Sequence, residues 1–398
     1  MKTIEDLQFT PIQKRILSTV YRYPGISRRE LAEKAGISEK SAIRYAGDFL
    51  NRHIFINEET RCNAVGRHTE LLRIDPGWFT VLAADIGAYS LKIGIVDLSG
   101  KILYRKIWKK DEGWDPHACT GESLCQKLQL VLRESGQRPI GLGLGISGLV
   151  DRTRENIRYC PNLALLRDMN VQETFGKPLG LPVSLDTSAR CLALAEARYG
   201  GHRDASNLLY ISAGHSISAG VILDGKIFRG TTGSAGELGH IRVKNDTTRC
   251  TCGSTGCLEL YATLPMISRA VRDQLAQPHM YSPLRSKISD WSRLQVADIQ
   301  EGHRLKDKVV LERLTEAGQL LGRAASTFVS SFNPSLVVFG GSVSQFHPYL
   351  IEEAIREIER VTLSSTLQEL SMVQSKLEPS DAAIQGAALQ VQSEFFCL

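Results

Sequence analysis

The sequence predicts an α/β protein in which a small N-terminal module precedes a larger body of two lobes. The first 76 residues hold three short helical patterns, each opened by a capping residue. From residue 81 onward apolar strand patterns dominate, and the order strand, glycine turn, strand occurs twice. A hydrophobic content of 42% with 23% charged residues is typical of a globular protein.

Chain length sets the expected number of domains. The 398 residues suffice for two or three domains of about 100–200 residues each. We predict one domain at 1–76 and a second at 81–398, whose lobes cover about 81–200 and 201–398. The chain begins without the apolar run of a signal peptide, and no stretch approaches the roughly 20 apolar residues of a membrane span. We therefore expect a cytoplasmic protein with no membrane partner.

Each helix of the N-terminal module begins at a recognisable cap. Thr10 precedes Pro11 and stands three residues before Gln13, which is the pattern of a capping box. Ser27 repeats the arrangement for the second helix, and Ser38 follows a glycine turn to begin the third. Apolar spacing predicts that the core face of the third helix is formed by Ile43, Ala46 and Leu50. Its outward face is then formed by Lys40, Ser41, Arg44 and Tyr45.

The positive charge of the chain is concentrated in this module. Residues 11–73 contain twelve Lys and Arg against seven Asp and Glu, a surplus equal to the net charge of +5 for the whole chain. A basic module on a neutral body indicates an anionic partner. Its three helices, followed by strand patterns at 54–56 and 71–74, resemble a winged helix-turn-helix.

The resemblance to a winged helix-turn-helix implies double-stranded operator DNA as the partner. In such folds the third helix enters the major groove and the wing contacts backbone or minor groove. We therefore predict DNA contacts by Lys40, Ser41, Arg44, Tyr45 and, in the wing, Arg67. The alternative is a small helical protein-interaction domain with a solvated charged face.

Four metal-ligand side chains lie between residues 240 and 257. Three cysteines share one glycine-bearing turn and a histidine lies shortly upstream: His240, Cys250, Cys252 and Cys257. Three thiolates and one imidazole are a complete tetrahedral set, so we predict a structural Zn²⁺ ion. The alternative, buried thiols or a disulfide, is disfavoured by the Cys-x-Cys spacing. Glu237 and Glu259 flank the turn and are not needed as ligands.

The body carries a duplicated strand pattern. Residues 81–87 and 91–97 are predicted as two strands joined by a turn, with a third strand at 102–104. The unit recurs at 208–212 and 219–225. This meander resembles the opening of actin-like ATPase folds, in which the first hairpin cradles nucleotide phosphates. Two copies predict two lobes with a ligand-binding cleft.

A series of motifs gives the body a family resemblance. In chain order these are DIG at 85–87, GLGISGLVD at 143–151, PNL at 161–163, AEARYG at 195–200, AGELGH at 235–240, CTCGSTGCLE at 250–259, NP at 333–334 and GG at 340–341. Together they resemble the ROK family, which joins repressors, open reading frames and sugar kinases. The resemblance implies an actin-like ATPase (ribonuclease H-like) sugar-kinase fold. Behind a winged helix-turn-helix, it implies the architecture of the family's sugar-responsive transcriptional repressors.

The same resemblance implies a sugar site at Glu237, His240 and Glu259. Carboxylates accept hydrogen bonds from a polyol, and a histidine fixed by metal through one ring nitrogen can present the other to a hydroxyl. The alternative is that the two glutamates only support the zinc ligands. For Arg190 the sequence leaves two possibilities, a pairing with an anion such as a sugar phosphate or a place on a solvated helix face.

The resemblance implies no catalytic residue in this chain. Active members carry an Asn-Asp pair after a Pro-Val strand, and that Asp accepts the proton of the attacking sugar hydroxyl. Here Thr187 and Ser188 align with the pair, and a serine hydroxyl is too weak a base at neutral pH. Both phosphate loops also differ, with Tyr89 and His215 where the family pattern has threonine. We therefore expect no kinase activity.

These observations favour a DNA-binding transcriptional regulator, with repression as the expected action, that binds a sugar or sugar phosphate in a catalytically inactive sugar-kinase-like domain. By the family resemblance we expect a homodimer or homotetramer. Two alternatives stay open. One is an ATP-dependent hexose kinase with an N-terminal regulatory domain, and the other is a DNA-binding protein whose body is only a zinc-stabilised dimerisation scaffold.

Overall fold

The computed structural model describes residues 9–62, 68–202, 205–277, 279–288 and 294–397. They form two compact units, of which the first reaches to Ser188 and resumes at Ala383, and the second covers Ala189–Ala382. The C-terminal helix thus returns to the first unit, a return that the predicted lobe limits of 81–200 and 201–398 do not include. Within the described ranges, no helix has the length and apolarity to span a bilayer.

The N-terminal module is a three-helix bundle with a small sheet. Its elements are α1 (Pro11–Arg22), β1 (Ile26–Ser27), α2 (Arg28–Ala35), α3 (Glu39–Asn51), β2 (Phe55–Cys62) and β3 (His68–Ile74). The antiparallel sheet has the order β1-β3-β2, with Phe55 opposite Ile74 and Ile56 opposite Arg73. This arrangement confirms the predicted winged helix-turn-helix. The capping box of α1 also forms, since the Thr10 hydroxyl accepts from the Gln13 amide at 3.3 Å.

The predicted core face of α3 is wrong at Ile43, whose side chain is 58% exposed. The buried face is formed by Ala42, Ala46 and Phe49. Phe49 rather than Leu50 fills the core, because its ring lies edge-on between Phe9 and Phe55, with ring centres 6.0 and 4.9 Å away. Burial of this larger aromatic surface sets the rotation of the helix and turns Ile43 to the surface.

The rest of the first unit is built around a five-stranded sheet of order β11-β7-β4-β5-β6. Its elements are β4 (Thr80–Ile86), β5 (Ser90–Asp97), β6 (Ile102–Lys109), α4 (Gly121–Ser135), β7 (Leu142–Ile146), β8 (Leu149–Val150), β9 (Asn156–Tyr159), β10 (Met169–Asn170), α5 (Lys177–Leu179) and β11 (Val183–Thr187). Strands β4, β5 and β6 form an antiparallel meander, and β7 and β11 add in parallel beside β4. Strand β4 is buried along its whole length.

The second unit repeats this topology in the order β14-β13-β12-β15-β16. Its elements are α6 (Ser188–Tyr199), which begins at the boundary, β12 (Leu208–Ala213), β13 (Ile217–Leu223), β14 (Lys226–Ile227), α7 (Glu259–Ala262), α8 (Leu264–Leu275), α9 (Val296–Arg304), α10 (Lys308–Phe332), β15 (Leu336–Gly340), α11 (Ile351–Val361), α12 (Ser364–Leu367) and β16 (Ser371–Gln374). Again one antiparallel hairpin is extended by two parallel strands. The duplicated fold class is thereby confirmed.

The last helix, α13 (Pro379–Phe395), packs on the first sheet. A Cβ at Gly143 would lie only 2.0 Å from the Ala387 carbonyl oxygen, so the close approach of helix and sheet requires glycine there. Gln392 donates to the Asp97 carbonyl at 3.1 Å and accepts from the Tyr21 hydroxyl at 2.6 Å. Helix α13 therefore links helix α1 of the N-terminal module to the sheet of the first unit.

Candidate functional sites

The second unit contains a compact group of metal-ligand side chains. The ligand atoms of four residues all lie within 4.8 Å of one another, namely those of His240, Cys250, Cys252 and Cys257. The chain folds back on itself to bring them together, because Arg242 pairs with Cys257 and Arg249 with Thr255 in isolated β-bridges. Among the described residues all three cysteines are free thiols, which excludes the disulfide alternative in this structure.

The spacing of the donor atoms fits a tetrahedral zinc ion. Zn–S bonds of about 2.3 Å and Zn–N bonds of about 2.0–2.1 Å place neighbouring ligand atoms roughly 3.6–3.8 Å apart in a tetrahedron. Here Cys252 Sγ lies 3.7 Å from Cys257 Sγ, and Cys250 Sγ lies 3.6 Å from His240 Nδ1. The donor set of one imidazole and three thiols can therefore hold a metal ion, with Nδ1 as the histidine ligand atom.

The predicted sugar residues are grouped beside this site. His240 Nε2, the ring nitrogen not directed at Cys250, lies 3.8 Å from Glu237 Oε2. Glu259 packs against the backbone between them, since a Cβ at Gly239 would lie 2.6 Å from Glu259 Cγ. Glu259 Oε1 accepts from the Ile217 amide at 2.8 Å, which fixes the carboxylate at the start of β13. Two carboxylates and one imidazole nitrogen thus converge in one part of the second unit.

Arg190 is the residue near this site that sequence reasoning leaves undecided. The side chain is 1% exposed, so the solvated helix face is excluded. Its Nη2 donates to the Gly233 carbonyl at 2.5 Å and to the Ala235 carbonyl at 2.9 Å. Burial raises the pKa of Glu237, and the positive charge of Arg190 acts in the opposite direction. Arg190 therefore fixes the loop that leads to Glu237 and places a cation near its carboxylate.

In the first unit, Ser188 contacts the aspartate of the first phosphate-loop motif. The Ser188 hydroxyl donates to Asp85 Oδ1 at 2.6 Å, and Lys92 Nζ lies 2.6 Å from Asp85 Oδ2. Both oxygens of this nearly buried carboxylate are thus engaged by side chains of the same unit. Asp186 is fully buried at the end of β11 and accepts from the Thr187 amide at 2.9 Å.

Four of the five predicted DNA-contacting residues belong to α3. Lys40 and Arg44 are exposed, whereas Ser41 and Tyr45 are half-buried. The Ser41 hydroxyl is hydrogen-bonded to that of the cap Ser38 at 2.9 Å, and the Arg44 guanidinium lies 4.6 Å from the centre of the Tyr45 ring. Arg67 lies outside the described residues.

Two family models match the chain. The model described as ROK family matches residues 81–394, and the model described as winged helix-turn-helix DNA-binding matches residues 9–52. The first match covers most of the chain that follows the N-terminal module, and the second covers the three helices of the module.

Curated proteins with similar sequences are named as repressors or transcriptional regulators. The chain is 24% identical over 386 residues to the xylose repressor of Caldicellulosiruptor bescii, covering 95% of this chain and 94% of that protein. It is 25% identical over 374 residues to the DNA-binding transcriptional dual regulator NagC of Escherichia coli, covering 92% and 89%.

Two solved structures give the same picture of the fold. A ROK family transcriptional regulator described as a homologue of the E. coli MLC protein is 23% identical, with a TM-score of 0.80 and 96% coverage of both chains. A ROK family glucokinase from Streptomyces griseus, in complex with glucose and AMPPNP, is 25% identical with a TM-score of 0.67. That kinase covers 78% of this chain, and this chain covers 98% of the kinase.

Proposed function

Since the chain belongs to the ROK family and carries a winged helix-turn-helix ahead of the family domain, we propose that it is a transcriptional repressor controlled by a sugar. The observation that carries the proposal is the union of both parts in one chain, because a sugar kinase needs no basic DNA-binding module. A regulator of this kind works beside the chromosome, so we place it in the cytoplasm.

Helix α3 is the proposed reader of operator DNA. The exposed cations Lys40 and Arg44 suit contacts with phosphates and base edges, and Tyr45 supports the Arg44 guanidinium from below. Ser41, tied to the helix cap, is suited to a phosphate contact near the helix N-terminus. Arg67 of the wing is proposed to contact backbone or minor groove. We propose a homodimer or homotetramer, whose symmetry would set the spacing of two half-sites.

Glu237, His240 and Glu259 form the proposed sugar site. Two carboxylates accept hydrogen bonds from neighbouring hydroxyls, and His240 Nε2 stands ready for a third. Arg190 Nη2 already donates to two backbone carbonyls, which favours a neutral sugar over a sugar phosphate as the ligand. Ligand binding would shift the population of conformations that differ in operator affinity, and the coupling is reciprocal.

We propose Zn²⁺ as the resident ion of the His240 and cysteine group. Its role is structural, because four protein ligands leave no open coordination position for chemistry. The ion would hold the turn at 250–257 and fix the His240 ring with Nε2 directed at the sugar.

We propose that the kinase-like body has no phosphotransferase activity. The position of the general base is occupied by Ser188, whose hydroxyl is already donated to Asp85. By the family resemblance Tyr89, whose side chain is 39% exposed, replaces the threonine of the first phosphate loop and would crowd a nucleotide bound there. The rival function, an ATP-dependent hexose kinase, predicts ADP release with at least one hexose in a coupled assay, and we expect none.

A carboxylate restored at the position of the general base should lower the stability of the protein without giving it kinase activity. In Ser188→Asp the new carboxylate would face Asp85, and two like charges in a buried site repel. We expect a loss of about 1–3 kcal/mol in the free energy of unfolding, seen by thermal or urea denaturation. Ser188→Ala is the matched control, which removes the hydroxyl without adding charge. Measurable hexokinase activity in Ser188→Asp would contradict this prediction and would show that the missing base alone keeps the wild type inactive.

The sugar site is tested by Glu259→Gln. The amide oxygen of glutamine can still accept from the Ile217 amide, so the fold should be kept. Loss of a charge-assisted hydrogen bond costs about 1.5–3 kcal/mol, so sugar affinity should fall roughly 10–150-fold in calorimetry. Glu369→Gln, a change at the far end of the second unit's sequence, serves as the control. Unchanged sugar affinity would assign Glu259 to support of the metal ligands alone.

The whole proposal is tested by selecting DNA from a random duplex pool with the full chain. The selection is repeated with xylose, N-acetylglucosamine, glucose and their phosphates. The proposal expects a two-fold symmetric sequence to be enriched and one of these sugars to change its retention. Enrichment without any sugar effect would support the scaffold alternative, and failure to retain any duplex at low salt would overturn DNA binding.

A further inference from the structure

Helix α3 exposes an apolar side chain in the middle of its charged face. Ile43 is 58% exposed, and Lys40 and Arg44 stand three residues before and one after it. A single exposed isoleucine is ordinary on a protein surface and proves nothing alone.

The second observation is Gly47, one helical turn beyond Ile43. It lies inside a helix, where glycine is the least favourable residue apart from proline. No positive φ requires glycine there, since Gly47 is not among the residues with positive φ. Packing does not require it either, because among the described residues, apart from the adjoining backbone of α3 itself, no atom lies within 4 Å of the place a Cβ would take. Within the described part of the chain, neither backbone conformation nor packing therefore explains why position 47 is glycine.

Taken together, the two positions suit a binding partner that approaches the helix closely and presents an apolar group to Ile43. The cations on either side of Ile43 favour an anionic partner. Among anions, a DNA duplex offers an apolar group in its major groove, the C5 methyl of thymine. A glycine at 47 would let a base pair or backbone approach the helix more closely than any side chain permits.

Resting on the proposed DNA binding, we propose that Ile43 reads a thymine methyl in the operator and that Gly47 allows the approach that brings it there. Lys40 and Arg44 supply charge and hydrogen bonds on the same face, while Ile43 adds discrimination at a position that no polar side chain reads. The specificity of the helix therefore includes a preference for thymine at one position or more of each half-site.

The test replaces each thymine of the selected operator by deoxyuridine, which removes only the methyl group. At one thymine position, this replacement should lower the affinity of the full-length wild type about fourfold, which is the contribution of one buried methyl group to binding. Ile43→Ala should bind more weakly and should no longer distinguish thymine from deoxyuridine at that position. Ile12→Ala, which changes another exposed isoleucine of the module, should keep the wild-type pattern.

Gly47→Ala is expected to change stability and operator affinity in opposite directions. Alanine should raise the thermal midpoint, because it favours the helix, and should weaken operator binding by at least about fivefold through steric overlap. If the fold itself required glycine at position 47, the alanine variant would be less stable than the wild type. Thus, unchanged operator binding by Gly47→Ala, or identical deoxyuridine patterns for wild type and Ile43→Ala, would overturn the inference while leaving DNA binding intact. If the full chain enriches no DNA at all, the proposed function falls and this inference falls with it.

Discussion

Replacing Cys257 by serine is expected to remove the proposed zinc ion and to unfold much of the second unit at ordinary temperatures. Cys257 is completely buried, and its Sγ is 3.7 Å from that of Cys252. Structural zinc sites contribute about 10–16 kcal/mol of binding free energy to small domains, which is also folding free energy. A serine hydroxyl does not replace a thiolate, so we expect a loss of more than about 3 kcal/mol in the free energy of unfolding.

Metal analysis and thermal denaturation of Cys257→Ser measure this effect directly. The wild type should carry one zinc ion per chain and the variant none. Sugar binding should be lost with the metal, because His240 would no longer be held with Nε2 directed at the ligand. Cys397→Ser, at an exposed cysteine of the first unit, is the control and should keep both metal and stability. A wild-type protein without zinc, or a variant that retains it, would refute the site.

Replacing Arg44 by alanine is expected to give the largest loss of operator binding among changes in α3. Arg44 is exposed, and its guanidinium is held 4.6 Å from the Tyr45 ring, which restricts its conformations before DNA arrives. A guanidinium that contacts a base edge contributes about 1–3 kcal/mol, so affinity should fall roughly 5–150-fold for each half-site. Fluorescence anisotropy with the selected operator at fixed salt measures the change.

Two further measurements show whether Arg44 reads a base or a phosphate. A base contact predicts that Arg44→Ala tolerates substitutions at one operator position that the wild type rejects, whereas a phosphate contact predicts a uniform loss and a shallower salt dependence. Arg269→Ala, which removes an exposed arginine from α8 of the second unit, should bind operator normally. Equal affinities of Arg44→Ala and wild type would exclude α3 as the reading helix.

Local sequence signals were sufficient for the parts of the fold that depend on neighbours in the chain. The capping boxes of Thr10 and Ser27 form as predicted, because cap and partner are three residues apart. The four metal ligands also come together as predicted, since Cys250, Cys252 and Cys257 lie within a single turn. The duplicated strand and turn patterns of the two units were equally readable, because strand periodicity and glycine turns are local properties.

Long-range packing decided the rest. Spacing alone places Ile43 inward, but burial of Phe49 between Phe9 and Phe55 rotates α3 and turns Ile43 out. The same holds for Arg190, which the sequence leaves between a solvated helix face and a pairing with an anion. Only the carbonyls of Gly233 and Ala235, more than forty residues away along the chain, settle its place.

The sequence by itself determined that a basic winged helix-turn-helix precedes a duplicated α/β body with a cysteine-rich turn, since charge, caps, ligands and strand periods are written in consecutive residues. The tertiary structure alone decided which side of α3 faces solvent, that Asp85 is engaged by Ser188 and Lys92, and that helix α13 returns to the first sheet. These features depend on surfaces that meet only after folding, where burial of the larger apolar area and satisfaction of buried charge override local spacing.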